Sequence, residues 1–428
     1  MFLTIIAMAC FNSCKKDDVG YKHDASSPIA VHDFLPKEGG GGTEILINGI
    51  NFSSDTSEIS VKINGIPLKI IGSKADQIMA VVPKMGGTGP IEVRIGNNAG
   101  ISEQSYQYVY TRTVSTLAGN GKPGFANGKG TDAMFNFSGE SWYRGSGIAV
   151  DNDLNVYVTD VGNHCIRKID KDGNVTILAG SPSNGGFADG KGTAARFSIP
   201  YGLTIDDKGN LYSVDPGNWD IRKIAPDGTA TTLGYAQQEP WSIGFDKTSS
   251  QLFYTGAHAS AQIYTVDSKG VSKQVISEVN YPSGLAFDDQ GNMYVTLTGA
   301  NQIKKFNAGN WNGSIIAGSG QNGLLDGPGV SAKFASPWGI AIDKSNNIYV
   351  AGNGTPGGDI HSPDQSIRYI DAVAHVVSTF AGSSSAGFVN AIGAAATFSG
   401  PIGVTVDKHG TVYVLDKNNN SVRKIVSE

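Results

Sequence analysis

Aromatic side chains recur from residue 142 onward, just before short apolar segments of the chain. Most occupy the middle of a Pro-x-Gly-like turn or lead into one, and one further tryptophan lies in a neighbouring turn. Exposed aromatic faces are typical of binding sites, because they offer flat apolar surface beside a polar edge. The equivalent turns elsewhere hold Ser283 and Ile402. The candidates for ligand contact are Trp142, Tyr143, Tyr201, Trp219, Trp241 and Trp338.

Three histidines, His164, His258 and His361, lie in turns of alternate repeats. Neutral imidazoles are common zinc ligands, so these three are the metal-binding candidates. No Gly-x-Ser-x-Gly, His-Glu-x-x-His or phosphate-binding motif occurs in the sequence. We therefore predict no catalytic residue and no cofactor, with Zn²⁺ or Ca²⁺ as the open alternative.

The elements that must position these side chains repeat six times after Val114. Each unit has an apolar strand ending in Asp, a second strand that contains Tyr, and a third such as Ile166-Arg167-Lys168-Ile169. A fourth strand follows, so the pattern predicts a six-bladed β-propeller. Because an Asp recurs at the same place in every unit, we interpret this set as turn caps: Asp151, Asp206, Asp246, Asp288, Asp343 and Asp407.

The ring closes through the first strand of this region. The last unit stops after its third strand, at Glu428, whereas an unpartnered fourth-type strand, residues 114–118, precedes the first unit. We expect residues 114–118 to form the outer strand of the final blade, because pairing there removes an open sheet edge. Four connections are long, and we expect them to wall the aromatic face and leave it open above blades three and four: 119–146, 180–201, 318–338 and 382–402.

Residues 28–110 contain short alternating strands separated by Gly, Pro, Asn and Ser turns, which predicts an immunoglobulin-like sandwich. The segments Ile47-Asn48-Gly49-Ile50-Asn51-Phe52 and Val61-Lys62-Ile63-Asn64-Gly65-Ile66-Pro67 resemble an IPT/TIG domain. That resemblance implies a spacer or platform without catalytic groups. Residues 111–428 resemble NHL-repeat propellers, so the fold class is all-β. Some propellers of this type are zinc lyases with histidine in the Pro-x-Gly-like turn, a position that here is aromatic, aliphatic or Ser.

The chain starts with an apolar run, residues 1–13, that is too short to span a bilayer as a helix. With Cys14 directly after Ser13, the run resembles a signal peptide and the lipobox of a bacterial lipoprotein. The resemblance implies cleavage before Cys14 and lipidation of its sulfur; the alternative is a buried N-terminal strand. Residues 14–27 are expected to be a flexible linker, and Lys15-Lys16-Asp17-Asp18 resembles the export tag of Bacteroidota-type surface lipoproteins.

The composition fits this reading. There are 57 glycines among 428 residues, and 17% of the residues are charged, which argues against both a helical bundle and disorder. A net charge of −5 without a basic run gives no support for nucleic-acid binding.

A lipid anchor, a sandwich and an aromatic-rimmed propeller resemble the surface glycan-binding lipoproteins that accompany outer-membrane polysaccharide import systems. That resemblance implies a cell-surface protein of the outer membrane that binds a polysaccharide or oligosaccharide. Its partners would be outer-membrane import proteins, and it would meet the membrane through its lipid alone. We expect Trp241 and Trp338 to dominate affinity. A metal-dependent lyase or hydrolase and a protein–protein interaction scaffold are the alternatives.

Overall fold

The computed structural model describes residues 20–137, 147–352 and 361–428. They form two compact units, one ending at Thr111 and including Glu428, and the other Arg112–Ser427. No helix within these ranges is long and apolar enough to cross a membrane. The helices described are single 3₁₀ turns: Thr56–Glu58, Gly130–Asp132, Val161–Asn163, Gly192–Ala194, Thr298–Ala300, Gly329–Ser331, Gly393–Ala395 and Lys417–Asn419.

The first unit is a sandwich of two sheets around an apolar core that includes Phe34, Ile47 and Val93. Its strands are β1 (Ala30–Leu35), β2 (Glu38–Gly39), β3 (Glu44–Ile50), β4 (Ile59–Ile63), β5 (Ile66–Pro67), β6 (Lys69–Lys74), β7 (Gln77–Val81), β8 (Gly89–Ile95) and β9 (Asn98–Tyr108). One sheet has the order β1-β3-β7-β6 and the other β2-β9-β8-β4-β5. Alternate residues of each long strand are buried, as a half-exposed sheet requires.

Part of the expected linker belongs to this unit. Asn51 Nδ2 donates to the backbone carbonyls of Asp24 (2.9 Å) and Ser27 (2.8 Å), and the Ser54 amide donates to the Tyr21 carbonyl (2.9 Å). The ordered sandwich therefore starts near Tyr21, several residues before the boundary predicted at residue 28.

The second unit is a six-bladed propeller, as predicted. The strands of its first half are β10 (Arg112–Ala118), β11 (Gly128–Lys129), β12 (Ile148–Val150), β13 (Val156–Asp160), β14 (Cys165–Ile169), β15 (Asn174–Gly180), β16 (Gly190–Lys191), β17 (Leu203–Ile205), β18 (Leu211–Asp215), β19 (Asp220–Ile224), β20 (Thr229–Tyr235), β21 (Pro240–Asp246), β22 (Gln251–Gly256), β23 (Ala261–Val266) and β24 (Ser272–Val279).

The second half contains β25 (Pro282–Phe287), β26 (Met293–Leu297), β27 (Gln302–Phe306), β28 (Gly313–Ala317), β29 (Gly327–Pro328), β30 (Ile340–Ile342), β31 (Ile348–Ala351), β32 (Gln365–Ile370), β33 (Val376–Ser383), β34 (Pro401–Val406), β35 (Val412–Asp416) and β36 (Ser421–Ser427). From the innermost strand outward, blades one to six begin with β12, β17, β21, β25, β30 and β34.

The sixth blade closes the ring in the predicted way. Strand β10 pairs antiparallel with β36, with Arg112 opposite Ser427 and Val114 opposite Ile425. Its sheet has the order β10-β36-β35-β34, so the outermost strand precedes every other strand of the propeller in sequence. This pairing leaves the ring without an unpaired blade edge at the junction of its two ends.

The repeated Asp residues cap turns. Asp151 Oδ1 accepts the backbone amides of Asp153 (2.9 Å) and Asn155 (2.8 Å), and its Oδ2 accepts the Tyr157 hydroxyl (2.9 Å). The tyrosine of the second strand therefore secures the turn that precedes it. The same hydroxyl-to-carboxylate bond recurs at Asp206, Asp288, Asp343 and Asp407. These carboxylates serve as Asx-turn caps, in agreement with the sequence interpretation.

The long connections take a different course from the one expected. Strand β11 pairs with the start of β15, and the Gly130 amide donates to the Gly173 carbonyl in the turn that enters β15. That turn lies on the face of the Asp caps, opposite the aromatic turns. Strands β16 and β29 pair in the same way with the outer strands of blades two and five, β20 and β33. In blade six, the Val114 amide of the outer strand β10 donates to the Ala391 carbonyl. In the described residues, these connections descend along the outer blade edges instead of forming the expected wall on the aromatic face, and residues 138–146 of the first connection lie outside the described residues.

Buried arginines explain this course. Arg167 Nη2 donates to the Ala126 carbonyl (2.8 Å), and its Nη1 donates to Met134 (3.1 Å) and to Asp160 Oδ2 (2.9 Å). One guanidinium thus binds both arms of the connection, and Phe135 lies beneath it. Equivalent arginines hold the other three long connections: Arg222, Arg368 and Arg423. Blades three and four have Tyr264 and Lys304 at this register position and short connections.

Candidate functional site

The face opposite the Asp caps carries the turns that lead into the innermost strands. It also carries the connections between second and third strands, because successive strands run in opposite directions. Trp241 and Trp338 enter blades three and five from this face, and Trp219 precedes the third strand of blade two. We call this surface the upper face.

Trp241 lies at the centre of an aromatic stack. Its ring centroid is 5.1 Å from that of Trp338 with the planes 30° apart, and 6.2 Å from that of Tyr281 at 28°. Trp241 itself is half-buried, and Tyr281 is 38% exposed. Trp338 is 3% exposed and supports Trp241 from the core side. Two of the predicted residues are therefore in contact, and they present one partly exposed aromatic surface.

The other turn residues close the top of the central channel. Tyr201 and Ile402 are buried and belong to the same apolar cluster as Trp338, with Trp241 packed against it. Tyr201 was expected to face a ligand, but burial leaves its ring almost no stacking surface. In blade four, Ser283 is buried and its hydroxyl lies 2.5 Å from that of Thr298. The turn residues therefore lie close together, as the sequence predicts, but most of them are buried and pack against each other.

The indole N–H groups of Trp241 and Trp338 lack an acceptor within residues 20–137, 147–352 and 361–428. Both nitrogen atoms are themselves buried, so a ligand oxygen could reach these donors only if the rings shifted. The unsatisfied donors separate the stack from an ordinary apolar core contact.

Trp219 stands apart from the stack. It lies in the turn before β19, with its ring 49% exposed, and its carbonyl accepts the Ala236 amide (2.9 Å). Tyr235, also exposed, ends the outer strand of the same blade. Sequence reasoning did not single out Tyr235, which precedes the short connection 236–239, or Tyr281, which lies within the short connection 280–281; both side chains are exposed. Trp142, Tyr143 and Cys14 lie outside the described residues.

Asp220, directly after Trp219, is a carboxylate with a perturbed pKa. It is fully buried, and neither of its oxygens has a hydrogen-bond partner in the described structure. Burial, and next the nearby charge of Asp215, raise the pKa of Asp220 to about 7, although Arg222 Nε lies 3.8 Å away. The equivalent positions of blades one, five and six hold the neutral residues Cys165, Ser366 and Ser421.

The three histidines do not form a metal centre in the described part of the chain, where no group of three or more His, Cys, Asp or Glu side chains could hold an ion. His164 Nδ1 lies 2.6 Å from the Ser198 carbonyl, so that ring is tied to a neighbouring connection. His258 Nε2 lies 4.0 Å from Glu239, and His361 is exposed in another blade. These positions do not support the metal-binding candidate.

Family models match both units. The IPT/TIG domain model matches residues 30–110, and the NHL repeat model matches residues 146–169 and 398–425. Curated relatives include the chloroplastic protein SUPPRESSOR OF QUENCHING 1 of Arabidopsis thaliana, which is 25% identical over 325 residues. That match covers 73% of this chain and 27% of the relative. NHL repeat-containing protein 2 of Bos taurus is 24% identical over 67% of this chain and 39% of its own. The chain thus spans well under half the length of these relatives.

Solved structures share the fold over 95% of the chain. A Bacteroides thetaiotaomicron protein of unknown function is 19% identical, with a TM-score of 0.65 over its whole chain. Two proteins described as auxiliary nutrient binding proteins, from B. thetaiotaomicron and B. ovatus, are 20% and 21% identical, each with a TM-score of 0.57. The match covers 99% and 100% of those two chains. The chain therefore carries an IPT/TIG domain followed by NHL repeats, which form a closed six-bladed β-propeller.

Proposed function

We propose that the protein binds a glycan, a polysaccharide or oligosaccharide, through the upper face of its propeller. The observation that carries the proposal is the stack of Trp241 between Tyr281 and Trp338, which is exposed on one side and supported on the other. Sugar rings present apolar C–H faces that stack on aromatic rings.

The two solved structures described as auxiliary nutrient binding proteins support a nutrient-binding role, since they share the arrangement over their whole length. A glycan is the nutrient class that best fits an aromatic surface surrounded by amide side chains. Gln237 and Gln238, which offer such amides, lie four and three residues before Trp241 in the connection that enters blade three.

Titration of the purified full-length Cys14→Ala chain against a polysaccharide panel tests the proposal. Trp241→Ala should lower affinity about tenfold or more, because removing one stacked ring costs on the order of 1.4 kcal/mol. Tyr21→Ala removes an aromatic side chain that is 45% exposed on the sandwich and should leave affinity unchanged. Absence of binding to every polysaccharide, or wild-type affinity in Trp241→Ala, would overturn the proposal.

Two alternative functions can be tested on the same purified protein. Stoichiometric metal in the purified protein would favour a metal-dependent lyase or hydrolase. Co-purification of outer-membrane proteins without glycan affinity would favour an interaction scaffold, since propeller faces also dock proteins.

We also propose that the protein is exported and anchored to the outer membrane by a lipid on Cys14, with its propeller at the cell surface and import proteins as neighbours. The apolar run ending at Ser13 supports this placement. In cells, Cys14→Ala should move the protein from the membrane fraction to the soluble fraction. Cys165→Ala is the matched control, because Cys165 is buried inside blade one. Retention of Cys14→Ala in the membrane fraction would contradict lipid anchoring.

A further inference from the structure

A second aromatic surface lies on blade two, with Trp219 and Tyr235 at the upper end of the blade and Phe187 over the Arg222 guanidinium at its outer edge. Trp219, Tyr235 and Phe187 are 49%, 58% and 52% exposed. Their backbones are tied together, since Asn218 Nδ2 donates to the Gly186 carbonyl (3.0 Å) and Tyr235 pairs with Asp220 across the sheet. We call these three side chains the outer aromatic group.

Trp219 occupies this surface in a strained conformation. Its φ is +57°, in the left-handed region, which a bulky side chain rarely adopts. The equivalent positions before the third strands of blades four and six hold Asn301 and Asn420, with φ of +54° and +40°. Asparagine is among the residues that tolerate this region best. A half-exposed tryptophan here contributes little to the core, and residues held in such conformations cluster at functional sites.

A short polar connection joins the two aromatic surfaces. Tyr235 and Trp241 are separated by six residue steps, so their Cα atoms are at most about 20 Å apart. Between them, Gln237 is exposed, and its backbone amide donates to the Tyr254 hydroxyl oxygen (2.8 Å). Gln238 Oε1 accepts the Gln262 amide (3.1 Å). Blade three has Tyr264 in place of the buried arginine, and the connection that enters it is short.

We infer that the outer aromatic group is a second glycan subsite, and that the ligand is a chain of several sugars that runs from the Trp241 stack over blade two. The inference rests on the proposed function and deepens it, because it names an extended polymer as the substrate class. Stacking at both ends and amide contacts between them match a chain whose units each present an apolar face and hydroxyl groups. Two linked contacts also raise the affinity of a polymer above that of a short fragment.

The test uses a soluble α-glucan, β-glucan, xylan, mannan and galacturonan, each as polymer and as trisaccharide, with the full-length Cys14→Ala chain. For the polymer that binds, Trp219→Asn should weaken affinity about fivefold or more, and Tyr235→Ala should act in the same direction. Trisaccharide affinity should stay within about twofold, since a short ligand occupies the Trp241 stack alone.

The asparagine variant controls for folding. Because asparagine fits the left-handed backbone better than tryptophan, Trp219→Asn should melt at the wild-type temperature or above it. Polymer affinity unchanged in Trp219→Asn and Tyr235→Ala, with loss in Trp241→Ala, would overturn the second subsite and leave the proposed function standing. Wild-type affinity in Trp241→Ala, or no binding by any polymer, would overturn both.

Discussion

Replacing Asp220 with asparagine should make the protein more stable at neutral and alkaline pH. Asp220 is fully buried, its oxygens are unpartnered in the described structure, and its pKa is raised from 3.8 to about 7. The folded protein therefore holds a proton that the unfolded chain releases near pH 4. Folding stability must fall as the pH rises from about 4 to about 7, and stay level above that range.

The magnitude follows from the size of the shift. Each pKa unit corresponds to about 1.4 kcal/mol, so the full shift of about three units costs the folded state on the order of 4 kcal/mol above pH 7. About two of those units lie between pH 5 and pH 7. The stability difference between Asp220→Asn and the wild type should therefore grow by about 3 kcal/mol in favour of the variant between pH 5 and pH 8.

Urea unfolding of both proteins at pH 5, 6, 7 and 8 measures this growth. Buried carboxylates of other blades, such as Asp416 with a pKa of about 6, titrate in both proteins and cancel in the difference. Asp227→Asn is the control, since the pKa of exposed Asp227 is lowered to about 2 by its bond to Lys191, well below the range tested. A pH-independent difference between Asp220→Asn and wild type would refute the reasoning, because the carboxyl would then be ionised in the folded protein throughout.

Two further predictions concern the propeller scaffold. Arg167→Ala should lower the free energy of unfolding by about 3–5 kcal/mol and make residues 124–135 sensitive to protease, because Asp160 and two loop carbonyls lose their buried partner. Lys168→Ala, on the half-exposed side of the same strand, should change stability by about 0.5 kcal/mol at most, and equal effects of the two would contradict the anchoring role. Val114→Asp, which places a charge in the strand that closes the ring, should lower the melting temperature, since Val114 is buried opposite Ile425. Thr116→Asp is the control at a half-exposed position of that strand, and an unchanged melting temperature in Val114→Asp would argue against closure through this strand.

The regular part of the fold was predictable because it repeats. The Asp of each first strand, the Tyr of each second strand and the unpartnered segment 114–118 together predicted the blades, their turns and the ring closure. The paths of the long connections were not predictable in this way, because they depend on contacts between distant residues. The arginine of Ile166-Arg167-Lys168-Ile169 is visible in the sequence, but only the fold shows that its guanidinium reaches the Ala126 and Met134 carbonyls.

The candidate site was predicted in part for a similar reason. Periodicity placed Trp241 and Trp338 on one face, and they do stack. The periodicity of the sequence does not show how deeply a ring is buried. Tyr201 and Trp338 were therefore expected at the surface, but both are buried. Tyr235 lies next to a short connection, and Tyr281 lies within one. Both rings are exposed, because short connections cover little of the surface around them.

The pairing of β10 with β36 also sets an order of events in time. During synthesis β10 is made first, and its partner β36 is made roughly 300 residues later. Strand β10 therefore lacks this partner while the first five blades are synthesised. Until β36 arrives, the nascent chain exposes a free strand edge of the kind that seeds aggregation. Blades one to five can form as they appear, but the last blade, and with it the closed ring, is available only once synthesis of the chain has reached Ser427. Chaperone protection would therefore matter most late in synthesis.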